Sequence, residues 1–311
     1  MKLLIMGGSG FVGQAVVRAL LTQGHGVTLL NRGNRPIQGT RQLVADRNDP
    51  DALDAALAGQ SFDAVVDTNC YSGQQAATLI ASLGGRTPDA LVISSAAVYA
   101  DAALHPPGED APVGGGSAWG DYGRDKTDVE EVYRNGGFRS GVALRPPYIC
   151  GPNNDLDREA WFLRRIAAGR PVLVPGQGTA EYHFLHEDDL GAAVCRWLDT
   201  RPEGFASFNV ADPQLVTAVQ LPEMLAKAAG LPVDIRTVGD AAGTARPRDW
   251  YPFRDVHCAA DPTRFIVRFG WAPANPLAER LAQIARHLSE SKDTQASDWT
   301  PLEAAILSKL D

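Results

Sequence analysis

With 311 residues, of which 44% are hydrophobic and 21% charged, the chain has ordinary globular composition and room for a large core, which excludes a disordered polypeptide. Thirty-seven acidic against 29 basic residues give a formal net charge of −8, which argues against the phosphate backbone of nucleic acid as the main partner. No apolar run approaches the ~20 residues of a bilayer span, and the apolar start of "MKLLIMGGSG" is too short for a secretory signal, so a soluble, cytoplasmic protein with no membrane partner is expected.

The first half alternates short apolar runs with helical segments. "KLLIM" (2–6) reads as a strand, followed by a glycine turn and the helical "FVGQAVVRALLTQG" (11–24). "GVTLLN" (26–31) is a second strand, and a third ends before Asp46. Helices over 51–59 and 73–84 alternate with strands over 62–68 and 90–95. A Gly- and Pro-rich loop (101–119) leads to a helix carrying Tyr122, then to the strand "RSGVALRP" (139–146). This alternation implies an α/β fold, a Rossmann-type doubly wound parallel sheet.

From residue 151 the rhythm breaks, although a helix over 188–200 and a strand over 205–212 offer a return to the sheet. The expected organisation is a dinucleotide-binding domain over 1–150, joined by 188–212, and a smaller substrate lobe built from excursions within 151–311. Between them a cleft should open at the sheet's C-terminal edge. "TPLE" (300–303) spells a capping box opening the last helix.

The turn "GGSGFVG" spaces Gly7, Gly10 and Gly13 directly after the first strand, with Phe11 and Val12 opening the helix. Such a turn brings main-chain N–H groups and the positive helix end to a pyrophosphate. No Lys-Ser/Thr follows, so it is not a nucleotide-triphosphate loop. At the end of the second strand, where an NAD site carries an acidic residue for the ribose, stand Asn31 and Arg32, with Arg35 nearby. That set favours NADP over NAD, unless the arginines are only solvated loop charges. Asp46 either meets the adenine or caps its own turn.

"ISSAAVYA" (93–100) ends a strand with two serines, and "DYGRDK" (121–126) puts Tyr122 and Lys126 one helical turn apart. A tyrosine with an unperturbed pKa near ~10 needs help to act as a base near neutrality. Lys126 and a positively charged cofactor would favour the phenolate, and a serine hydroxyl would hold the substrate oxygen.

"GGSGFVG", "SSAAVY", "YGRDK" and "LRPPYICGP" (144–152) follow one another as in the extended (atypical) short-chain dehydrogenase/reductase family, of the NAD-dependent epimerase/dehydratase type, which the chain resembles over nearly its whole length. The likeness implies Ser95 as catalytic serine, Ser94 as support beside the cofactor, Tyr122 as acid/base, and Lys126 as its modulator and ribose contact. It puts Asp67, Thr68, Asn69, Pro146 and Tyr148 along the cofactor. Ala96, Ala97, Asn153, Tyr182 and Arg246 would join Ser95 on the substrate. Family dehydratases carry Asp-Glu where Ala96 and Ala97 stand, so elimination is not expected. Tyr182 replaces an arginine that epimerases use on a diphosphate, whereas Arg246 matches a second such contact. The implied reaction is hydride transfer at a secondary alcohol or ketone of a sugar-like or other small metabolite, as a reductase or an epimerase, in a homodimer formed through the outer helices.

"VTLLNRG" and "YPFRDVH…FGW" also resemble the chloroplast stem-loop-binding proteins, which keeps open a non-catalytic nucleotide- or RNA-binding role. No metal is expected. Cys70, Cys150, Cys195 and Cys258 are dispersed, and His183 and His186 in "YHFLHEDD" would face opposite sides of a strand. Asp188 or Asp189 then reads as a helix cap. Trp250, Tyr251 and Phe253 either line a substrate pocket or pack the lobe.

Overall fold

The computed structural model describes residues 1–291 and 299–310. Its first half runs β1 (Lys2–Met6), α1 (Phe11–Thr22), β2 (Gly26–Asn31), β3 (Arg41–Val44), α2 (Pro50–Leu57), β4 (Ala64–Asp67), α3 (Gly73–Leu83), β5 (Asp89–Ile93), α4 (Asp121–Arg134) and β6 (Ser140–Arg145). The short elements β7 (Tyr148–Cys150), α5 (Glu159–Ala167), β8 (Val172–Val174), β9 (Glu181–Tyr182) and β10 (Phe184–His186) follow. The chain then returns to the sheet through α6 (Glu187–Thr200) and β11 (Gly204–Asn209). It continues as β12 (Val216–Thr217), α7 (Gln220–Ala229), β13 (Ile235–Thr237), α8 (Thr263–Phe269), α9 (Leu277–Glu290) and α10 (Pro301–Leu307).

Seven strands form one parallel sheet in the order β11-β6-β5-β4-β1-β2-β3. Every residue of β4, β5 and β6 is buried, as a sheet covered on both faces requires. The period of two divides the side chains. Leu3, Ile5, Val66 and Leu91 pack with Val16 and Leu20 of α1 and Trp197 of α6. Leu4, Met6, Val65 and Val92 face Leu53 of α2, Leu79 of α3 and Tyr133 of α4. The strand order reverses at β1 and β4, so a crevice opens beyond their C-terminal ends.

A third core lies apart from the sheet, with Tyr148, Phe162, Tyr182, Phe184, Tyr251 and Phe253 at its centre. Rings such as Tyr148 and Phe253, 4.6 Å apart, meet edge to face, and aromatic packing of this kind fixes the lobe's shape. Trp250 and Tyr251 belong to this core.

The helix after β10 starts at Glu187, one residue earlier than the sequence suggests. Its cap is therefore His186, whose Nδ1 accepts the Asp188 N–H at 3.2 Å, and not Asp188 or Asp189. Asp189 instead forms a buried ion pair with Arg280 of α9 at 2.7 Å. Thr300 and Glu303 do form the capping box of α10.

One buried carboxylate ties four elements together. Glu130 of α4 accepts from Arg145 Nε at 2.9 Å and Nη2 at 2.7 Å, from Ser94 Oγ at 2.6 Å, and from Ser207 Oγ at 2.8 Å. Removing it strands the Arg145 guanidinium in the interior, so Glu130→Ala should lower unfolding free energy by about 3–5 kcal/mol in a urea titration. A loss below about 1 kcal/mol would show the pair to be dispensable.

Candidate active site

After β1 the chain turns through Gly7 and Gly8, at φ +87° and +79°, a left-handed conformation that suits glycine. A Cβ on Gly13 would stand 2.5 Å from the Gly8 Cα, so α1 seats on the turn glycine against glycine. A Cβ on Gly10 would meet nothing within 4 Å. Gly10 is also the N-cap of α1 and makes no side-chain cap, leaving the first N–H groups of the helix open towards the crevice. These are the features a pyrophosphate uses, and the residues present fit a dinucleotide.

The crevice above the turn is a cavity of about 720 Å³, lined among others by Gly7, Phe11, Arg32, Arg35, Thr68 and Asn69. Arg32 and Arg35 reach it without an ion pair among the described residues. Asn31 is more constrained. Its Oδ1 accepts from Gly33 N and Gln42 Nε2, both at 2.8 Å, and its Nδ2 reaches the Gly7 carbonyl at 3.3 Å, so it braces the turn. Asp46 borders the cavity while its Oδ1 accepts the Asn48 N–H at 2.9 Å.

Asp67 does not line the crevice, contrary to the family likeness. As the fully buried last residue of β4 it points to the α3–α4 side, where Arg47 holds it at 2.9 Å and the Tyr133 hydroxyl donates to it at 2.9 Å. Arg47 reaches the cavity in its place.

Phe11, Val12, Thr68 and Tyr71 are shared with a second cavity of about 450 Å³. Here Ser95, Tyr122 and Lys126 come together with Ser94, Pro146 and Tyr148. Ser94 commits its hydroxyl to Glu130, whereas Ser95 Oγ accepts the Ala97 N–H at 3.1 Å and stays at the wall. The approach of α4 depends on Gly123, where a Cβ would lie 2.4 Å from the Ala97 carbonyl. Direct helix-to-turn contact places Tyr122 beside Ser95. The "YGRDK" spacing holds this glycine, but its task depends on a turn far upstream in the sequence.

Lys126 donates to the carbonyls of Cys70 at 2.7 Å and Ile93 at 2.8 Å, and lies 5.9 Å from the centre of the Tyr122 ring. Burial lowers its pKa to about 8. Tyr122 is 40% exposed, its ring forming a wall of the open cleft. Desolvation in the cleft wall raises its pKa above the usual value, with hydrogen bonding to Ser95 pulling the other way. Lys126 alone therefore does not create a phenolate near neutrality.

The substrate side departs further from expectation. Tyr182 is fully buried and donates its hydroxyl to the Arg254 carbonyl at 3.0 Å, because β9 turns it into the aromatic core. Arg246 points outwards and pairs with Asp249 at 3.0 Å in a surface turn. Asn153 is bound to Glu187 at 2.8 Å. Ala96 and Ala97 are buried beneath the Ser95 turn. None of these five lines the cavity.

Arg158, Arg248 and Arg254 do, with Trp119, Phe253 and Cys258. Arg158 lies over the Tyr148 ring at 4.8 Å and Arg254 over Trp119 at 5.2 Å, while Arg248 donates to the Pro252 carbonyl. None of the three is ion-paired among the described residues. "ARPRDWYPFRD" displays two of them, and only the fold shows which arginines turn inwards. His183 and His186 are likewise separated, His183 Nδ1 lying 2.9 Å from the Ala260 carbonyl while His186 caps α6.

The family model for NAD dependent epimerases/dehydratases matches residues 3–211. The 41 kDa b chloroplast stem-loop binding protein of Arabidopsis thaliana is 30% identical over 297 residues, covering 90% of this chain and 77% of that one. The 2'-dehydrokanamycin reductase of Streptomyces kanamyceticus is 32% identical over 208 residues, 64% of this chain and 58% of its own length. Among solved structures, a UDP-glucose 4-epimerase of Thermotoga maritima with UDP-glucose superposes at a TM-score of 0.77 with 18% identity, over 94% of this chain and 100% of that one. The UDP-glucose 4-epimerase of Thermus thermophilus with NAD gives 0.74 at 19%, over 93% and 99%. These likenesses show a shared fold. Among the described residues, no helix is long and apolar enough to cross a membrane.

Because burial favours the neutral phenol, Tyr122 in the unliganded protein should ionise above its ordinary value of ~10. The sign follows directly: the unfolded chain releases this proton first, so the group's contribution to stability is lost as pH climbs past that value. An ultraviolet tyrosinate titration of wild type against Tyr122→Phe isolates it. A midpoint near neutrality without dinucleotide would contradict the geometry.

Proposed function

The chain belongs to the NAD dependent epimerase/dehydratase family, and from that premise we propose that it is an NAD(P)-dependent oxidoreductase or epimerase acting at a secondary alcohol or ketone of a small, anionic metabolite. The observation that carries this reading is the cleft, in which the cavity lined by Ser95, Tyr122, Lys126 and three arginines shares Phe11, Val12, Thr68 and Tyr71 with the dinucleotide-sized one.

The bound dinucleotide would supply or accept the hydride. In the reductive direction the Tyr122 hydroxyl gives its proton to the substrate oxygen, and in the oxidative direction it takes one. Ser95 donates to the same oxygen as its charge grows. Lys126, anchored on two carbonyls, holds positive charge beside the Tyr122 ring and would contact the ribose of a bound dinucleotide. Hydride and proton together convert ketone to alcohol, so no further reactant is needed. The absence of an acidic pair at Ala96 and Ala97 supports redox chemistry over elimination. Arg32 and Arg35, with no acidic residue ending β2, support NADP, whereas solved structures of similar fold carry NAD.

The guanidiniums of Arg158, Arg248 and Arg254, without an ion pair among the described residues, support a carboxylate or phosphate on the substrate. A UDP-sugar, such as the UDP-glucose held by the Thermotoga maritima epimerase, would satisfy them, and so would a simple oxo acid. The likeness to a stem-loop binding protein supports a non-catalytic alternative, which the net charge of −8 and the assembled Ser-Tyr-Lys set oppose.

Nucleotide released from the purified protein on denaturation, followed by NADPH and NADH titrations, decides the first point. Tightly held NAD⁺ would indicate an epimerase, exchangeable NADPH a reductase, and binding of neither would leave the non-catalytic reading. Tyr122→Phe should keep dinucleotide affinity and lose turnover by about 10²–10⁴-fold; full activity in that variant would refute the assignment. Against a panel of ketones, those bearing carboxylate or phosphate should turn over best. Arg248→Ala should raise their KM by about 10–100-fold while leaving neutral ketones unchanged.

A further inference from the structure

Outside the cleft, three side chains from distant parts of the sequence meet at the surface: His105 in the loop between β5 and α4, Glu181 on β9, and His257 immediately before Cys258. His105 Nε2 lies 3.0 Å from Glu181 Oε2, and His257 Nδ1 lies 3.6 Å from the same oxygen. The two imidazole rings face each other at 4.2 Å between centroids with a 34° tilt. One donor atom from each residue falls within 4.8 Å of the other two. None of the three lines either cavity.

We propose that His105, Glu181 and His257 form a binding site for a borderline divalent transition ion, with Zn²⁺ the best match. A tetrahedral ion with bonds of about 2.0–2.2 Å to imidazole nitrogen and carboxylate oxygen needs donors about 3.3 Å apart. The two spacings to Glu181 Oε2, 3.0 and 3.6 Å, bracket that value, and the two imidazole donors lie within 4.8 Å of each other. Two imidazoles and one carboxylate suit zinc and its neighbours, whereas Mg²⁺ and Ca²⁺ demand oxygen ligands. A water completes the fourth position.

The backbone holds the ligands ready. Cys258 N donates to the Glu181 carbonyl at 2.8 Å and His183 N to the Cys258 carbonyl at 3.0 Å, which fixes Glu181 against His257. The His105 loop is tied down two residues later, where the Pro107 carbonyl accepts from Asn209 Nδ2 and Asp261 N, each at 3.0 Å. One rearrangement is required: His257 Nδ1 now accepts the Glu181 N–H at 3.2 Å and would give that lone pair to the ion. The ion would staple the 101–119 loop to the irregular segment running into Cys258. Trp119 and Cys258 at the ends of those segments line the substrate cavity, so the staple would stiffen its wall.

Chelator-treated protein titrated with Zn²⁺ by calorimetry, with Mg²⁺ as control, tests the site. Wild type should bind one Zn²⁺ per chain and melt at a higher temperature with it, and Mg²⁺ should do neither. A His105→Gln/His257→Gln double variant, altering only partly exposed side chains, should keep its circular dichroism spectrum and lose Zn²⁺ affinity by at least about 100-fold. Glu181→Gln should weaken it as well. Absence of Zn²⁺ binding in wild type would overturn the proposal. So would equal binding by the double variant, which would place the ion elsewhere, for example on a cysteine.

Discussion

The structure turns on the buried contact between Glu130 and Arg145. A carboxylate inside a protein is costly unless its lone pairs are filled, and here four donors from α4's surroundings fill them. The consequence is positional. Glu130 sits one helical turn beyond Lys126 on α4, Ser94 precedes Ser95, and Arg145 precedes Pro146. Three of the side chains in this network are thus immediate or near neighbours of residues on the cleft wall. The network makes a helix, two strand ends and an edge strand share a frame of reference, and Ser95, Tyr122 and Lys126 inherit their spacing from it.

Gly123 completes the arrangement by a different force. Where Glu130 pulls α4 towards the strand ends, Gly123 lets it approach until the helix meets the Ala97 carbonyl. Attraction without the glycine would stop short, and the glycine without attraction would leave the helix free to slide. Lys126 adds a third restraint, since its ammonium bridges carbonyls following β4 and ending β5. Tyr122 is therefore located by three restraints on α4, although its own ring is open to the cleft.

Much of this was legible in the sequence because the signals were local. The short apolar runs of β1, β2, β4, β5 and β6, the glycine turn after β1 and the Thr300–Glu303 box all depend on residues within a few positions of each other. The Ser95, Tyr122 and Lys126 grouping was legible through resemblance, and the fold brings the three to one wall. What failed was orientation in the irregular lobe. Tyr182 and Arg246 were expected on the substrate from the resemblance alone, yet β9 turns one inwards and a surface turn directs the other outwards. Arg158, Arg248 and Arg254 could not be singled out, because whether a loop arginine faces a cavity or water depends on aromatic packing among segments far apart in the chain. Asp67 failed for a related reason: a strand-end carboxylate faces either the crevice or the helices behind it, and Arg47 decided the matter.

The division of labour among the turn glycines has a consequence for how such a site changes over time. Gly13 is fixed by packing and Gly7 by backbone conformation, so neither can vary without disturbing the fold. Gly10 borders open space, and a side chain there would touch nothing else in the chain. Occupancy of the crevice and integrity of the scaffold are therefore under separate control. A side chain at that single position would narrow the crevice and leave the architecture whole, so the cavity can be reshaped without passing through a destabilised scaffold.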